Sequence, residues 1–108
     1  MPLFIKTERF TSSTIKLLPS IRAKYLTNHK NWVKELRKAG KNLTSGYLVN
    51  KNHEPGGGGF LVIEATSFDE AKCIIKEDPM IKNNLVAWDL HEWVPVAGKL
   101  LSSKDQRG

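Results

Sequence analysis

The sequence predicts an α+β domain in which four strands and two helices alternate along 108 residues. Three observations support this prediction. Four short segments have the apolar content of strands, and two longer segments repeat apolar residues every three or four positions. Glycine, proline or small polar residues separate these six segments. The length suits a single domain with a small core.

The first half of the chain predicts a strand followed by a long helix. Residues 3–8 alternate and are flanked by Pro2 and a polar run, which predicts the first strand. Residues 21–39 carry one apolar stripe at helical spacing, with Ser20 as the expected N-cap and Gly40 as the expected end. Basic side chains lie on the outer face of this helix and just past it: Lys24, Lys30, Lys34, Arg37, Lys38 and Lys41.

The second half predicts two strands, a helix and a last strand. Residues 43–50 and 60–65 predict strands joined by a loop that ends in four glycines. Ser67 and Glu70 form a capping box that starts the second helix, and Pro79 is expected to end it. Residues 85–94 predict the fourth strand. The order βαββαβ predicts a ferredoxin-like sandwich, with a four-stranded antiparallel sheet and both helices on one face.

The strand pattern also predicts a partner for the sheet. The third strand places Phe60 and Val62 on one face and Leu61 and Ile63 on the other, so both faces are apolar. Two helices cover only one face, and a bare apolar face is an interaction surface. Because a symmetric partner is the commonest cover, we expect a homodimer packed sheet to sheet.

Composition argues against several classes of protein. No apolar run approaches the ~20 residues that cross a bilayer, and the N-terminus lacks the pattern of a signal peptide. With Cys73 as the only cysteine, we expect a cytosolic protein. The three histidines lack metal-site spacing, and the glycine run lacks the context of a phosphate-binding loop. We therefore expect no metal and no cofactor.

The charge of the chain is uneven. Residues 1–51 hold 11 Lys and Arg against 2 Asp and Glu, whereas residues 52–108 hold 6 against 9. A basic helix face indicates nucleic acid, acidic lipid or an anionic ligand, or it is simply a solvated surface. We expect the region from residue 97 to 108 to be a flexible polar tail that follows a domain at residues 1–96.

His29 and Asp78 are the strongest candidates for chemistry. His29 lies within the apolar stripe of the first helix and is therefore expected to face the sheet, either as a satisfied core histidine or as an acid–base group. Asp78 continues the apolar face of the second helix and is expected at its C-terminal end, where the helix dipole disfavours a carboxylate. Asp78 is either a misplaced charge that signals function or a turn-forming residue before Pro79.

Three stretches, residues 25–46, 68–80 and 85–93, resemble the YCII-related (YciI-like) proteins, and the resemblance spans roughly residues 2–95. It implies a dimeric α/β-barrel and matches His29 and Asp78 to the His/Asp pair assigned to catalysis in that family. Related superfamily members include muconolactone-isomerase-like enzymes and a dehydrochlorinase that acts on a chlorinated hydroxyquinol.

The leading hypothesis is a small lyase or isomerase that needs no cofactor. His29 would act as general acid or base, Asp78 would orient it, and the substrate would be small and anionic or cyclic. We expect five further residues to contribute to substrate binding: Tyr25, Trp32, Ser45, Asp89 and His91. The alternatives are a non-catalytic ligand-binding or interaction module and, less favoured, nucleic-acid binding by the basic helix face. The glycine run is interpreted as a hairpin tip that opens over the site.

Overall fold

Eight regular elements follow one another in the computed structural model, which describes residues 1–99. They are β1 (Leu3–Phe10), α1 (Ser12–Ile15), α2 (Pro19–Lys38), β2 (Leu43–Val49), β3 (Pro55–Glu64), α3 (Phe68–Ile75), α4 (Pro79–Lys82) and β4 (Val86–Trp93). The predicted ferredoxin-like α+β fold is confirmed. Two short helices, α1 and α4, are additions that the sequence pattern does not indicate. Most of the predicted tail, residues 100–108, lies outside the described residues.

The four strands form one antiparallel sheet in the order β2-β3-β1-β4. The central strand β1 pairs with β3 on one side and with β4 on the other, so Lys6 lies opposite both Leu61 and Leu90. Ser45 on β2 lies opposite Leu61. Since side chains alternate between faces, Ser45, Leu61, Lys6 and Leu90 form one row across the face that the helices cover.

Helix α2 begins two residues earlier than the cap assignment implies. Pro19 occupies the first turn, where its missing N–H costs no intrahelical bond, and the preceding Leu18 makes no side-chain cap. Ser20 as N-cap is therefore wrong. The predicted end is confirmed, because Gly40 follows the helix with φ +90°, a conformation that glycine adopts without a steric penalty.

Helix α3 starts as predicted but ends early. The Ser67 hydroxyl accepts a hydrogen bond from the Glu70 amide, as a cap should. The helix ends at Ile75, not at Pro79. Pro79 instead opens the next helix, α4, at a position where its fixed φ fits. The chain therefore makes a turn between Ile75 and Pro79, which changes the surroundings of Asp78.

The glycine run lies in a strand, which corrects the predicted loop at residues 52–59. Gly56 to Gly59 belong to β3, where Gly59 pairs with Tyr47 on β2 and with Glu8 on β1. Gly58 has φ +90°, and a Cβ there would lie 2.2 Å from the carbonyl oxygen of Glu8. Only a residue without a side chain permits this close approach of the backbones.

The core lies between the sheet and the helices. Its main cluster contains residues from β1, β2, β3 and α3: Phe4, Leu43, Leu61, Ile63, Ala65, Ala71 and Ile75. A second cluster joins α4 to β4 and contains Met80, Leu85 and Val86, with Tyr25 of α2 packed against it. The helices thus pack against one face of the sheet, and the polar residues of that face lie among apolar side chains.

The opposite sheet face carries a group of apolar side chains among polar ones and has no helix over it among residues 1–99. Ile5 lies between Val62 on β3 and His91 on β4, and Leu3 lies beside Trp93. Ile5 and Val62 are half-buried by their neighbours in the sheet. Within the same residues, no helix is long and apolar enough to span a membrane.

Candidate functional site

His29 is held between two polar partners under helix α2. Its Nδ1 lies 2.9 Å from Oδ1 of Asp78, and its Nε2 lies 2.8 Å from Oγ of Ser45. Trp32, one turn later on the same helix, has its ring centroid 5.6 Å from that of the imidazole. The His29 side chain is 13% exposed, so it faces the sheet as the helical spacing predicts and still reaches solvent.

Asp78 anchors the site from the start of α4. It is fully buried, and its Oδ1 accepts a hydrogen bond from the Met80 amide at 3.0 Å as well as facing His29. Its Oδ2 lies 3.4 Å from Nζ of Lys6. The expectation that Asp78 sits at an unfavourable helix end is wrong, since it is the N-cap of α4, where a carboxylate is favoured.

The environment of Asp78 favours its ionised form. Burial alone would raise the pKa of this carboxyl, but the hydrogen bond and charge of His29, the charge of Lys6 and the Met80 amide together outweigh burial and lower the pKa. An ionised carboxylate only accepts hydrogen bonds, so we assign the proton on neutral His29 to Nδ1. Nε2 is then the acceptor, and the Ser45 hydroxyl donates to it.

Lys6 and Glu8 complete the cluster, and neither was identified from the sequence. The Lys6 side chain is 2% exposed and forms ion pairs with Glu8 and with Asp78. Glu8 is 11% exposed at its side chain. The available signal is the alternation Phe4, Lys6, Glu8 on one face of β1. It becomes informative only when the register shows that this face lies under the helices.

A cavity of about 520 Å³ adjoins the Glu8 end of this cluster. Its lining includes Glu8, Arg9, Gly57, Gly59, Trp88 and Asp89. Glu8 lies opposite Gly59 and Trp88 in the row of residues next to the row that contains Ser45 and Lys6. The cavity nevertheless lies on the sheet face opposite His29, because the lining side chains that alternate with this row point there: Thr7, Arg9, Ala87 and Asp89.

The structure gathers some of the predicted binding residues and separates others. Ser45 and Trp32 lie beside His29, while Tyr25 packs on the Met80 cluster of the same layer. Asp89 and His91 alternate with the residues of the helix-covered face, so their side chains point to the opposite sheet face. The structure therefore does not bring them to His29. No cluster of three metal-ligating side chains occurs among residues 1–99.

Comparisons with known proteins place the chain in a family. The model of the YCII-related domain matches residues 5–93. The chain belongs to the YCII-related family. No curated protein matches its sequence. Among solved structures, it is similar to 5-chloro-2-hydroxyhydroquinone dehydrochlorinase from Burkholderia phenoliruptrix AC1100, solved in complex with 2,5-dihydroxybenzoquinone. The TM-score is 0.63 at 23% identity, covering 85% of this chain and 93% of the dehydrochlorinase.

Proposed function

We propose that this YCII-related domain binds a small cyclic molecule and transforms it by proton transfer at His29, as a lyase or isomerase does, with side chains alone. One observation carries the proposal. The imidazole of His29 is bonded through Nδ1 to a fully buried carboxylate whose pKa is lowered. This arrangement orients the ring and stabilises the imidazolium that forms when Nε2 takes a proton.

The hydrogen bond from Ser45 marks the reactive side of His29. With Nδ1 committed to Asp78, only Nε2 is available to take a proton from a ligand. A ligand hydroxyl or an acidic C–H group that displaces the Ser45 hydroxyl would meet Nε2 directly. In an isomerisation the same atom would return the proton to the product, whereas in an elimination the proton would pass from Nε2 to solvent while chloride leaves the ring.

The similar dehydrochlorinase supports a small cyclic molecule as the class of ligand. That enzyme acts on a chlorinated hydroxyquinol and holds a hydroxylated quinone in its solved complex. A shared fold is the only property that 23% identity establishes. The assignment of a small cyclic substrate to the present chain therefore depends on the His29 geometry and on experiment.

The test compares His29→Gln with His53→Gln, because His53 is an exposed histidine of the β2–β3 turn. Binding of 2,5-dihydroxybenzoquinone is followed by amide NMR shifts, and turnover is followed by chloride release from 5-chloro-2-hydroxyhydroquinone. We expect shifts at Trp32 and Ser45, and a loss of turnover of about 100-fold or more in His29→Gln alone. Absence of both signals, or equal losses in both variants, contradicts the proposal. Binding near His29 without turnover favours the non-catalytic ligand-binding module.

A second candidate function follows from Ser45. Its Oγ lies 2.8 Å from Nε2 of His29, which in turn is bonded to Asp78, the order found in Ser-His-Asp nucleophilic sites. In that chemistry the Ser45 Oγ forms a bond to an acyl carbon while its proton passes to Nε2 and then to the leaving group. Incubation with p-nitrophenyl acetate distinguishes the two functions, since only a nucleophilic Ser45 becomes acetylated, as mass spectrometry of wild type and Ser45→Ala would show.

We further propose that the uncovered sheet face pairs with a second copy of the chain. Leu3, Ile5 and Val62 form an apolar, half-buried group on this face, and no described element covers it. A sheet-to-sheet dimer would remove this surface from water. Sedimentation of the wild type at micromolar concentration tests the dimer, and a monomer there contradicts it. The cytosolic location stays a prediction from the single cysteine.

A further inference from the structure

The geometry points to Lys6 and Glu8 as positioning residues for His29: acting through Asp78, their opposite charges determine how readily the imidazole takes a proton. Glu8 favours the imidazolium, and Lys6 opposes it. This inference rests on the proposed function, because it concerns the proton that His29 would accept from a ligand. It also gives a role to two residues of β1, a strand that sequence analysis did not connect to the site.

An unbroken series of contacts joins Glu8 to the imidazole. Oε1 of Glu8 pairs with Nζ of Lys6, and the same ammonium lies 3.4 Å from Oδ2 of Asp78. The other oxygen of Asp78, Oδ1, lies 2.9 Å from Nδ1 of His29. The ammonium and the imidazole thus contact the two oxygens of one carboxylate, and Glu8 contacts the ammonium from the other side.

Burial makes these charges effective beyond their direct contacts. The side chains of Lys6 and Asp78 are 2% and 0% exposed, and that of Glu8 is 11% exposed. Among residues 1–99, every buried side-chain polar atom has a hydrogen-bond partner. Water and salt screen charges in such a setting far less than they do at the surface. Lys6 and Glu8 therefore influence His29 across the intervening carboxylate.

Gly59 fixes the position of Glu8. The two residues lie opposite each other in the pairing of β1 with β3. A Cβ at position 59 would be 2.8 Å from Cγ and 3.1 Å from Cδ of Glu8, so the glutamate side chain occupies the space above this glycine. Packed against the β3 backbone, the carboxylate stays beside Lys6 and mostly out of water. The glycine thus allows a second carboxylate to join the cluster.

The number of charges in the cluster explains the opposite signs. When His29 is neutral, the carboxylates of Asp78 and Glu8 and the ammonium of Lys6 leave one negative charge uncompensated. When His29 is protonated, the imidazolium compensates that charge. Because an uncompensated buried charge is costly, Glu8 makes protonation of His29 more favourable and Lys6 makes it less favourable.

The other ionisable side chains on the elements around His29 do not join this series of contacts. The half-buried ones contact or lie near other groups: Arg22, Tyr25, Lys41, Glu64 and Glu70. The exposed ones on the neighbouring elements include Tyr47, Lys72, Lys76, Glu77, Lys82 and Glu92. The lysines of α2 lie on its outer face, while Asp89 and His91 point to the opposite sheet face. Within residues 1–99, the charges that reach His29 through Asp78 are therefore those of Lys6 and Glu8.

The test follows the ring protons of His29 by NMR between about pH 4 and about pH 10 in the protein without ligand. Glu8→Gln removes a negative charge with little change of shape, so the midpoint of the His29 titration should fall by about half a pH unit or more. Lys6→Met removes the nearer, positive charge, so the midpoint should rise by about one pH unit. The double variant keeps the net charge of the cluster, so its midpoint should return to within about 0.3 pH unit of wild type.

The matched controls repeat each substitution at an exposed position. Glu92→Gln changes a glutamate on the same sheet face, and Lys38→Met changes a lysine of the same helix as His29. Each alters the net charge of the protein as its counterpart does, and each should move the His29 midpoint by less than about 0.2 pH unit. His53, which is exposed in the β2–β3 turn, serves as an internal reference in the same spectra.

Opposite shifts that cancel in the double variant support the inference, because a general loss of structure does not change sign with the charge removed. An unchanged midpoint in Glu8→Gln, or shifts in the same direction in both single variants, overturns it, as does a wild-type His29 that does not titrate. Circular dichroism checks that each variant is folded. If Lys6→Met does not fold, Glu8→Gln decides alone, since glutamine keeps the size of glutamate.

The result separates this inference from the proposed function. If His29→Gln loses turnover while the His29 midpoint is unchanged in Glu8→Gln, the His29 chemistry stands and the role of Lys6 and Glu8 is refuted. If the midpoints shift as expected while His29→Gln keeps full turnover, the effect of the two charges stands and the proposed function is refuted.

Discussion

The two faces of the sheet differ in what they keep from water. On the helix-covered face, the charged side chains of Lys6 and Asp78 are buried beside Phe4 and Leu61. On the other face, apolar Ile5 and Val62 have no cover within the described chain. Burying charges raises the free energy unless charged or hydrogen-bonding partners offset the cost. Covering exposed apolar area lowers the free energy. This contrast supports our proposals of proton transfer under the helices and of pairing through the opposite face.

The largest effect is expected from Asp78→Asn. Removing one charge of a buried network leaves Lys6 and His29 without their common partner, and we expect a loss of about 3 kcal/mol of unfolding free energy. Urea unfolding at pH 7 measures it. The control is Glu77→Gln, the preceding residue, which is exposed and pairs with Lys82; it should cost less than about 1 kcal/mol. Equal costs would show that the buried charges under the helices stabilise the fold no more than an exposed ion pair does.

The next effect concerns the uncovered face. Ile5→Asp places a charge at the centre of the proposed dimer interface and should weaken association by about 100-fold or more. Ile15→Asp is the matched control, because Ile15 is 60% exposed on α1, away from the sheet. Sedimentation velocity at several concentrations measures both. If the two variants associate equally, the interface lies elsewhere.

A third test uses pH to isolate the charge of Asp78. Its pKa is lower in the folded protein than in the unfolded chain, where it is about 3.9, so its contribution to stability is complete above that value and disappears as pH falls through the lowered folded pKa. The difference in unfolding free energy between wild type and Asp78→Asn should therefore shrink below about pH 4. Urea titrations from pH 7 to pH 3 show whether it does; a constant difference would indicate that packing, and not charge, is lost in the variant.

The smallest effect is expected for His91→Gln. His91 is exposed on the uncovered face, beside Ile5 on the neighbouring strand, and we expect a change of less than about 0.5 kcal/mol in unfolding free energy. Ligand affinity and turnover at His29 should not change. A clear loss of either would show that part of the site lies on the face opposite the helices.

The sequence predicted the strand and helix order and the inward position of His29, because both depend on local periodicity. The periodicity also singles out Asp78, but it predicts a continuous helix to Pro79. The chain instead ends α3 at Ile75 and uses Asp78 to begin α4. Asp78 and its partner His29 are 49 residues apart in the sequence, and no local pattern predicts such a pairing.

Lys6, Glu8 and the glycine run show where local patterns fail. Four consecutive glycines disfavour a strand on propensity alone, and only the close approach of Glu8 to Gly58 and Gly59 explains their place in β3. Lys6 and Glu8 alternate with Ile5 and Thr7, and both sets are compatible with either face. The choice depends on which side the helices pack, a property of the whole fold.

The double role of Asp78 Oδ1 links backbone and side chain in a single atom. The oxygen that faces His29 also accepts the Met80 amide that starts α4. A change in the charge or position of that oxygen therefore directly alters the hydrogen bond that it accepts from the Met80 amide. The Met80 amide proton is therefore a built-in reporter, whose exchange rate and chemical shift would follow the state of the imidazole while the ring itself is left unlabelled.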